Sequence, residues 1–176
     1  MSQRDEIVKV IGAVMLPQLG GWVNGYLTRQ EIKGWYQKLN FPSCRPPNWI
    51  FGPVWTSLYA GMGFASYLVW RDGNGFDGVA RGPLILYGVQ LALNWGWTPI
   101  FFKLHNLKWS LVELGALSSA VAITGFAFFN VNKVAGYLFI PYFAWCSFAT
   151  WLNYKFFELN PESTATIEEI KENKKK

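Results

Sequence analysis

Charge is distributed so unevenly along this 176-residue chain that five stretches hold none of its 16 basic and 11 acidic residues. These are Val10–Thr28, Pro46–Trp70, Gly82–Phe102, Leu114–Asn132 and Val134–Tyr154, of 19, 25, 21, 19 and 21 residues. A bilayer core about 30 Å thick is crossed by ~20 mostly apolar helical residues at 1.5 Å each. Each window meets that length once and none meets it twice. The reading is an all-α integral membrane protein, a five-transmembrane-helix bundle with spans at about 8–28, 47–70, 82–102, 109–130 and 134–157. The polar segment 160–176 is read as a disordered tail.

Hydrophobic residues make up 51% of the chain, only modestly above a soluble protein, because loops and tail dilute the spans. Aromatic content of 18%, with ten Trp, is the outlier. Trp and Tyr gather at bilayer interfaces and around flat ligands, where an apolar ring needs one polar edge satisfied. Many of these rings lie inside the windows, so anchoring at the interfaces does not account for all of them. Cys44 and Cys146 match no metal spacing, and His105 is the sole histidine, so no metal site and no cofactor are expected. No paired carboxylates, nucleophile elbow or phosphate-cradling glycine loop offers hydrolytic or phosphoryl chemistry, and no nucleic-acid partner is expected. The N-terminal apolar run is too long for a signal-peptide core and is read as a retained helix.

Short connections are expected everywhere except Arg29–Arg45, where Trp35, Tyr36, Leu39 and Phe41 sit among charges. That segment reads as an interfacial helix or a cap over the bundle mouth; a solvated loop suits the charges but not four large apolar residues. The remaining connections are read as Arg71–Arg81, Lys103–Glu113 and a turn at Asn130–Lys133. With five spans, the first and third loops and the C-terminus share one side and carry eleven cations against five. The excess places that side in the cytosol. Pro17, Pro53, Pro99 and Pro141 fall within spans, which suggests helices bowed around an internal space or simply irregular packing.

Small residues recur every fourth position at Gly21/Gly25, Ser57/Gly61/Ala65 and Gly88/Ala92/Gly96. Such stripes let helices approach closely in lipid. The third, with three members in register, is the candidate face of a homodimer. Gln18, Asn24, Gln90, Asn94 and Asn153 are neutral amides within spans, expected to bond a neighbouring helix or line a cavity. Glu113 is read as interfacial structure near a helix start. Trp55 and Tyr59 share one helical face, as do Trp145, Ala149, Leu152 and Asn153, with a small residue leaving a gap between large ones. Such stripes are more often core packing than a ligand box.

Longer motifs carry a specific likeness. Trp35–Trp55 reads WYQKLNFPSCRPPNWIFGPVW, Gln90–Phe102 reads QLALNWGWTPIFF and Pro141–Tyr154 reads PYFAWCSFATWLNY. In this order the chain closely resembles the translocator protein family, also called tryptophan-rich sensory protein or peripheral benzodiazepine receptor, from about Gly12 to Tyr154. The resemblance implies a five-helix bundle whose ligand cavity is capped by the first loop, in the mitochondrial outer membrane with a cytosolic C-terminus. It implies binding of cholesterol, porphyrins and aromatic drugs by Gly25, Thr28, Tyr36, Phe51, Gly52, Val54, Trp55, Asn94, Trp97, Trp109, Trp145, Ala149 and Leu152. Trp55 and Trp145 match tryptophans tied to light-dependent porphyrin breakdown in bacterial relatives, and would be catalytic if this chain shares that activity. The family's sterol motif in the fifth helix is not met strictly, because Lys155 follows Tyr154 directly and Glu158 stands where a basic residue is expected. The first reading is therefore binding and transport of flat hydrophobic ligands. Oxidative porphyrin degradation and a ligand-sensing scaffold are the alternatives.

Overall fold

The structure, a computed structural model, describes residues 3–161. The tail expected to be disordered lies, from residue 162 on, outside the described residues. Five α-helices follow one another: α1 (Gln3–Lys33), α2 (Asn48–Asp72), α3 (Arg81–Phe102), α4 (Leu107–Val131) and α5 (Lys133–Leu159). Short 3-10 turns at Trp35–Lys38 and Gly75–Asp77 punctuate the first and second connections, and the described residues form no strand.

The helices follow the charge-free windows but overrun them. α1 continues through Arg29 and Glu31 to Lys33, so the first connection begins at Gly34 rather than Arg29. Charged side chains suit a helix end that reaches water, and a charge marks the end of an apolar span rather than the end of a helix. α4 likewise starts early. Asn106 caps it by accepting the Trp109 backbone N–H at 3.0 Å, which reduces the expected third loop to 103–106. Glu113 thus lies nearly two turns inside α4, and both its carboxylate oxygens are shielded from solvent without a hydrogen-bond partner among the described residues. The turn before α5 is a single residue: Asn132 donates its backbone N–H to Phe128 at 2.8 Å to close α4, and its Oδ1 accepts from the Ala135 N–H at 2.9 Å to open α5.

By length and composition, α1 and α4 are apolar enough to cross a membrane. α2, α3 and α5 fall short of that measure because Trp, Tyr, Pro and amide residues lower their average hydropathy. The exterior of the bundle is nonetheless apolar on every helix. Ile11 and Val23 of α1, Trp49 of α2, Val89 of α3, Phe126 of α4 and Ile140 of α5 are all more than half exposed. A water-soluble monomer rarely displays such continuous apolar surface.

Close approach between helices is set by small residues. A side chain at Gly63 of α2 would meet the Ala13 carbonyl oxygen at 2.5 Å and the Val14 Cα at 2.7 Å, so α1 and α2 touch backbone to backbone there. Gly20 of α1 leaves room for the Trp95 indole, and Gly21 for the Tyr59 ring. Gly25 has no such neighbour. The third stripe faces outward: Gly88 and Ala92 are exposed, and added side chains at Gly88 or Gly96 would meet open space.

Amides supply the polar joints. Pro99 has no N–H, so it leaves the Trp95 carbonyl four residues earlier without its helical donor. The Asn24 side chain of α1 donates to that carbonyl at 3.1 Å. Gln18 donates to the Thr56 carbonyl at 2.8 Å, tying α1 to α2. Deeper in the bundle the Tyr59 hydroxyl donates to Asn94 Oδ1 at 2.7 Å, and Asn94 Nδ2 donates to the Tyr142 hydroxyl at 2.9 Å. Tyr142 then donates to Gln90 Oε1 at 2.9 Å. This chain joins α2, α3 and α5 among side chains that are almost completely buried.

Candidate ligand-binding cavity

The five helices and the folded-back first connection together line a cavity of about 410 Å³. α1 contributes Gln18, Gly21, Asn24, Gly25 and Thr28, and α2 contributes Phe51, Gly52, Trp55, Thr56 and Tyr59. The far wall is Asn94, Trp97, Phe101 and Phe102 of α3, Leu114 and Leu117 of α4, and Ala149, Leu152, Asn153 and Phe156 of α5. None of its lining residues is charged. Rings and aliphatic groups dominate, with a few amides and hydroxyls, as suits a largely apolar ligand held in orientation by a few polar contacts.

Several of the polar groups are already committed. Thr28 Oγ1 donates to the Asn24 carbonyl at 3.0 Å, Asn24 serves Trp95, and Tyr59 and Asn94 serve each other. Their hydrogen bonds hold the walls in place. Asn153 pairs with Ser110 of α4, its Nδ2 donating to Oγ at 3.2 Å.

The first connection closes the mouth. Tyr36, buried in the 3-10 turn, packs its ring against Phe41, Phe102 and Phe156 at centroid distances of 5.3, 5.5 and 5.7 Å. Burial raises the Tyr36 hydroxyl's pKa above its usual value, opposed by a hydrogen bond from Arg45. Two fastenings hold this cap. Asn40 donates its backbone N–H to Asn160 Oδ1 at 2.8 Å, and Asn160 Nδ2 returns a bond to the Asn40 carbonyl at 3.1 Å, pinning the connection to the end of α5. On the other side Trp35 stacks on His105 at 4.1 Å, while Glu31 accepts from Lys103 at 3.2 Å and contacts His105 Nε2 at 3.1 Å. His105 and Lys103, in that order, hold the Glu31 carboxyl below the usual carboxylate range. The cap expected from the aromatic content of 29–45 is therefore a packed and hydrogen-bonded element, not a solvated loop.

The profile of the TspO/MBR family matches residues 13–159. This chain belongs to that family. It is similar to the translocator protein of Homo sapiens, 46% identical over 147 residues that cover 84% of this chain and 87% of the relative. The Bos taurus translocator protein is 42% identical over 153 residues, covering 87% of this chain and 90% of the relative. A tryptophan-rich protein TspO from Archaeoglobus fulgidus is 35% identical over 154 residues, covering 88% and 98%. The chain is thus a membrane protein of the translocator and tryptophan-rich sensory type.

As a TspO/MBR bundle, it brings ten of the expected ligand residues to one cavity: Gly25, Thr28, Tyr36, Phe51, Gly52, Trp55, Asn94, Trp97, Ala149 and Leu152. Three others stand apart. Trp109, in the first turn of α4, is 62% exposed and lies outside the lining. Val54 and Trp145 line a separate shallow groove between α2 and α5, with Pro46, Leu58, Pro141, Ala144 and Phe148. Trp145 meets Phe51 edge-on at 5.8 Å, so Phe51 stands between it and the cavity. The expectation that Trp55 and Trp145 face one cavity is therefore corrected: only Trp55 does.

Sequence reasoning left out Trp22, Asn48, Tyr59, Thr98, Phe101, Phe102 and Phe156 as lining residues. Tyr59 had a visible signal, its shared face with Trp55. The pair Phe101–Phe102 follows Pro99 at the end of α3, and both rings pack against Tyr36 of the first connection, a contact that needs the tertiary structure to be seen.

Proposed function

We propose that this protein binds and carries flat hydrophobic ligands, of the sterol, protoporphyrin and aromatic-drug classes, within the capped cavity. The observation that carries the reading is an uncharged, aromatic-walled cavity of about 410 Å³ under an ordered cap. In this reading all five helices span the bilayer, supported by the apolar exterior on each of them. The setting is an outer mitochondrial membrane with the cap, third connection and C-terminus cytosolic, which the cation excess on that end favours. A homodimer through Gly88, Ala92 and Gly96 fits their outward, unobstructed position.

Light-driven porphyrin breakdown by Trp55 and Trp145 has less support, since Trp145 lies across Phe51 from the cavity. The deciding experiment titrates cholesterol and protoporphyrin separately into one detergent preparation, following quenching of tryptophan emission. Saturable binding of either, abolished by filling the cavity with Gly25→Trp, is the expected result. Binding unchanged in Gly25→Trp would place the ligand elsewhere and sink the reading.

A further inference from the structure

At the cavity mouth stands a guanidinium that no acid among the described residues neutralises. Arg45 lies just before α2 and donates through Nη1 to Asn48 Oδ1 at 2.5 Å and to the Tyr36 hydroxyl at 3.3 Å. Both partners are neutral, and both line the cavity. Its Nε and Nη2 have no acceptor among the described residues, and no carboxylate there pairs with it. The planar head is held over the Phe41 ring at 4.2 Å and the Tyr36 ring at 5.6 Å, which orients it. Two of the other cations on this end are engaged by acids. Lys103 is taken by Glu31 and Lys155 by Glu158, which leaves neither acid free to claim Arg45.

We infer that Arg45 receives a carboxylate carried on the edge of the cavity's ligand, making it a specificity residue for acidic over neutral members of the flat apolar class. This rests on the proposed ligand reading and narrows it. A guanidinium presents parallel N–H donors that match a carboxylate, and a charge-assisted pair is roughly twice as strong as a neutral hydrogen bond. The cavity lining holds no charged residue, and Arg45 bonds two of its members, Tyr36 and Asn48, so an acid group at the ligand's edge meets a cation at the mouth while its rings lie among Phe51, Trp55 and Trp97. Sterols, which carry a hydroxyl and no acid, gain nothing from this residue.

The test compares protoporphyrin with its dimethyl ester, which keeps the ring system and loses both charges. Titrations by tryptophan quenching are run on the full chain in a zwitterionic detergent, for the native protein, Arg45→Gln and Arg45→Lys. The native protein should favour the acid over the ester by about tenfold or more. Arg45→Gln should lose that preference by weakening the acid alone, with ester affinity unchanged, which also shows that the variant is folded. Arg45→Lys should keep part of the preference, because it retains the charge without the fork. An acid-to-ester ratio equal in the native protein and Arg45→Gln overturns the inference while leaving the cavity reading standing, and assigns Arg45 to lipid phosphate or cap structure instead. Failure of the native protein to bind either porphyrin removes the tetrapyrrole reading and this inference with it.

Discussion

Replacing Asn94 with Leu tests whether the buried polar chain holds the cavity walls together. The substitution preserves approximate size and removes two hydrogen bonds, from the Tyr59 hydroxyl at 2.7 Å and to the Tyr142 hydroxyl at 2.9 Å. In water-soluble proteins each such bond is worth about 1 kcal/mol net, and stranding a buried partner costs about 1–3 kcal/mol. Within membranes the measured values are lower, averaging ~0.6 kcal/mol with a maximum of ~1.7 kcal/mol, because the unfolded reference also finds partners. Tyr142 keeps Gln90 as an acceptor, so its hydroxyl proton is not stranded. Tyr59 has no second acceptor among the described residues, although it borders the cavity, where water can reach it. The two bonds at the membrane scale give a loss of about 1–3 kcal/mol. Reversible unfolding in mixed micelles measures it, with Tyr59→Phe and the double variant completing a cycle. The coupling between Tyr59 and Asn94 should be ~0.6–1.7 kcal/mol. Additivity within ~0.3 kcal/mol would show that this bond contributes nothing measurable, and the account of the cavity wall would be wrong.

Four further outcomes are expected. Gly63→Leu should prevent α1 and α2 from packing and abolish the folded state, while Gly61→Leu, which meets open space, should unfold like the native protein in the same micelle titration. Acidification should loosen the clasp of Glu31 with Lys103 and His105. The folded state holds Glu31's pKa below its usual value, so the opened form binds the proton more readily, and the clasp's contribution is lost as pH falls through the lowered value. Hydrogen exchange across 103–106 should rise at acid pH in the native protein and show no such acid-dependent change in Glu31→Gln. Gly88→Leu and Gly96→Leu should each weaken cross-linking between copies without unfolding the bundle; unchanged cross-linking in both would remove the dimer face. Protease applied to intact mitochondria should cut a C-terminal tag and spare an N-terminal one, and the reverse pattern would invert the proposed topology.

Much of this architecture could be read from where charge is absent, because the cost of placing a charge in hydrocarbon is written into sequence directly. The five helices follow for that reason. Their ends do not, since a helix continues into water for as long as its backbone bonds are satisfied, as α1 does from Thr28 to Lys33. The amides within the charge-free windows were legible as joints, and Gln18, Asn24, Gln90, Asn94 and Asn153 all bond other helices. What periodicity did not deliver was the azimuth of each helix. Trp145, Ala149 and Leu152 share a face on an ideal helix, yet the neighbouring α2 divides that face. Phe51 covers Trp145 while Ala149 and Leu152 remain open to the cavity. Which partner lies against which part of a face is decided by packing between helices, and spacing along one helix carries no record of it.

Asn24 and Pro99 are two halves of a single solution to the Trp95 carbonyl. Restoring an N–H at position 99 would give that oxygen a helical donor and leave the Asn24 amide idle in an apolar wall. Removing Asn24 alone would leave the oxygen bare. Each residue looks like a defect when considered by itself, an amide in hydrocarbon and a proline in a helix, and each makes the other harmless. Substitution at one site is therefore expected to be tolerated best when the other changes with it. A proline seemingly local to α3 is in this sense a property of α1 as well, and the two walls of the cavity vary as one.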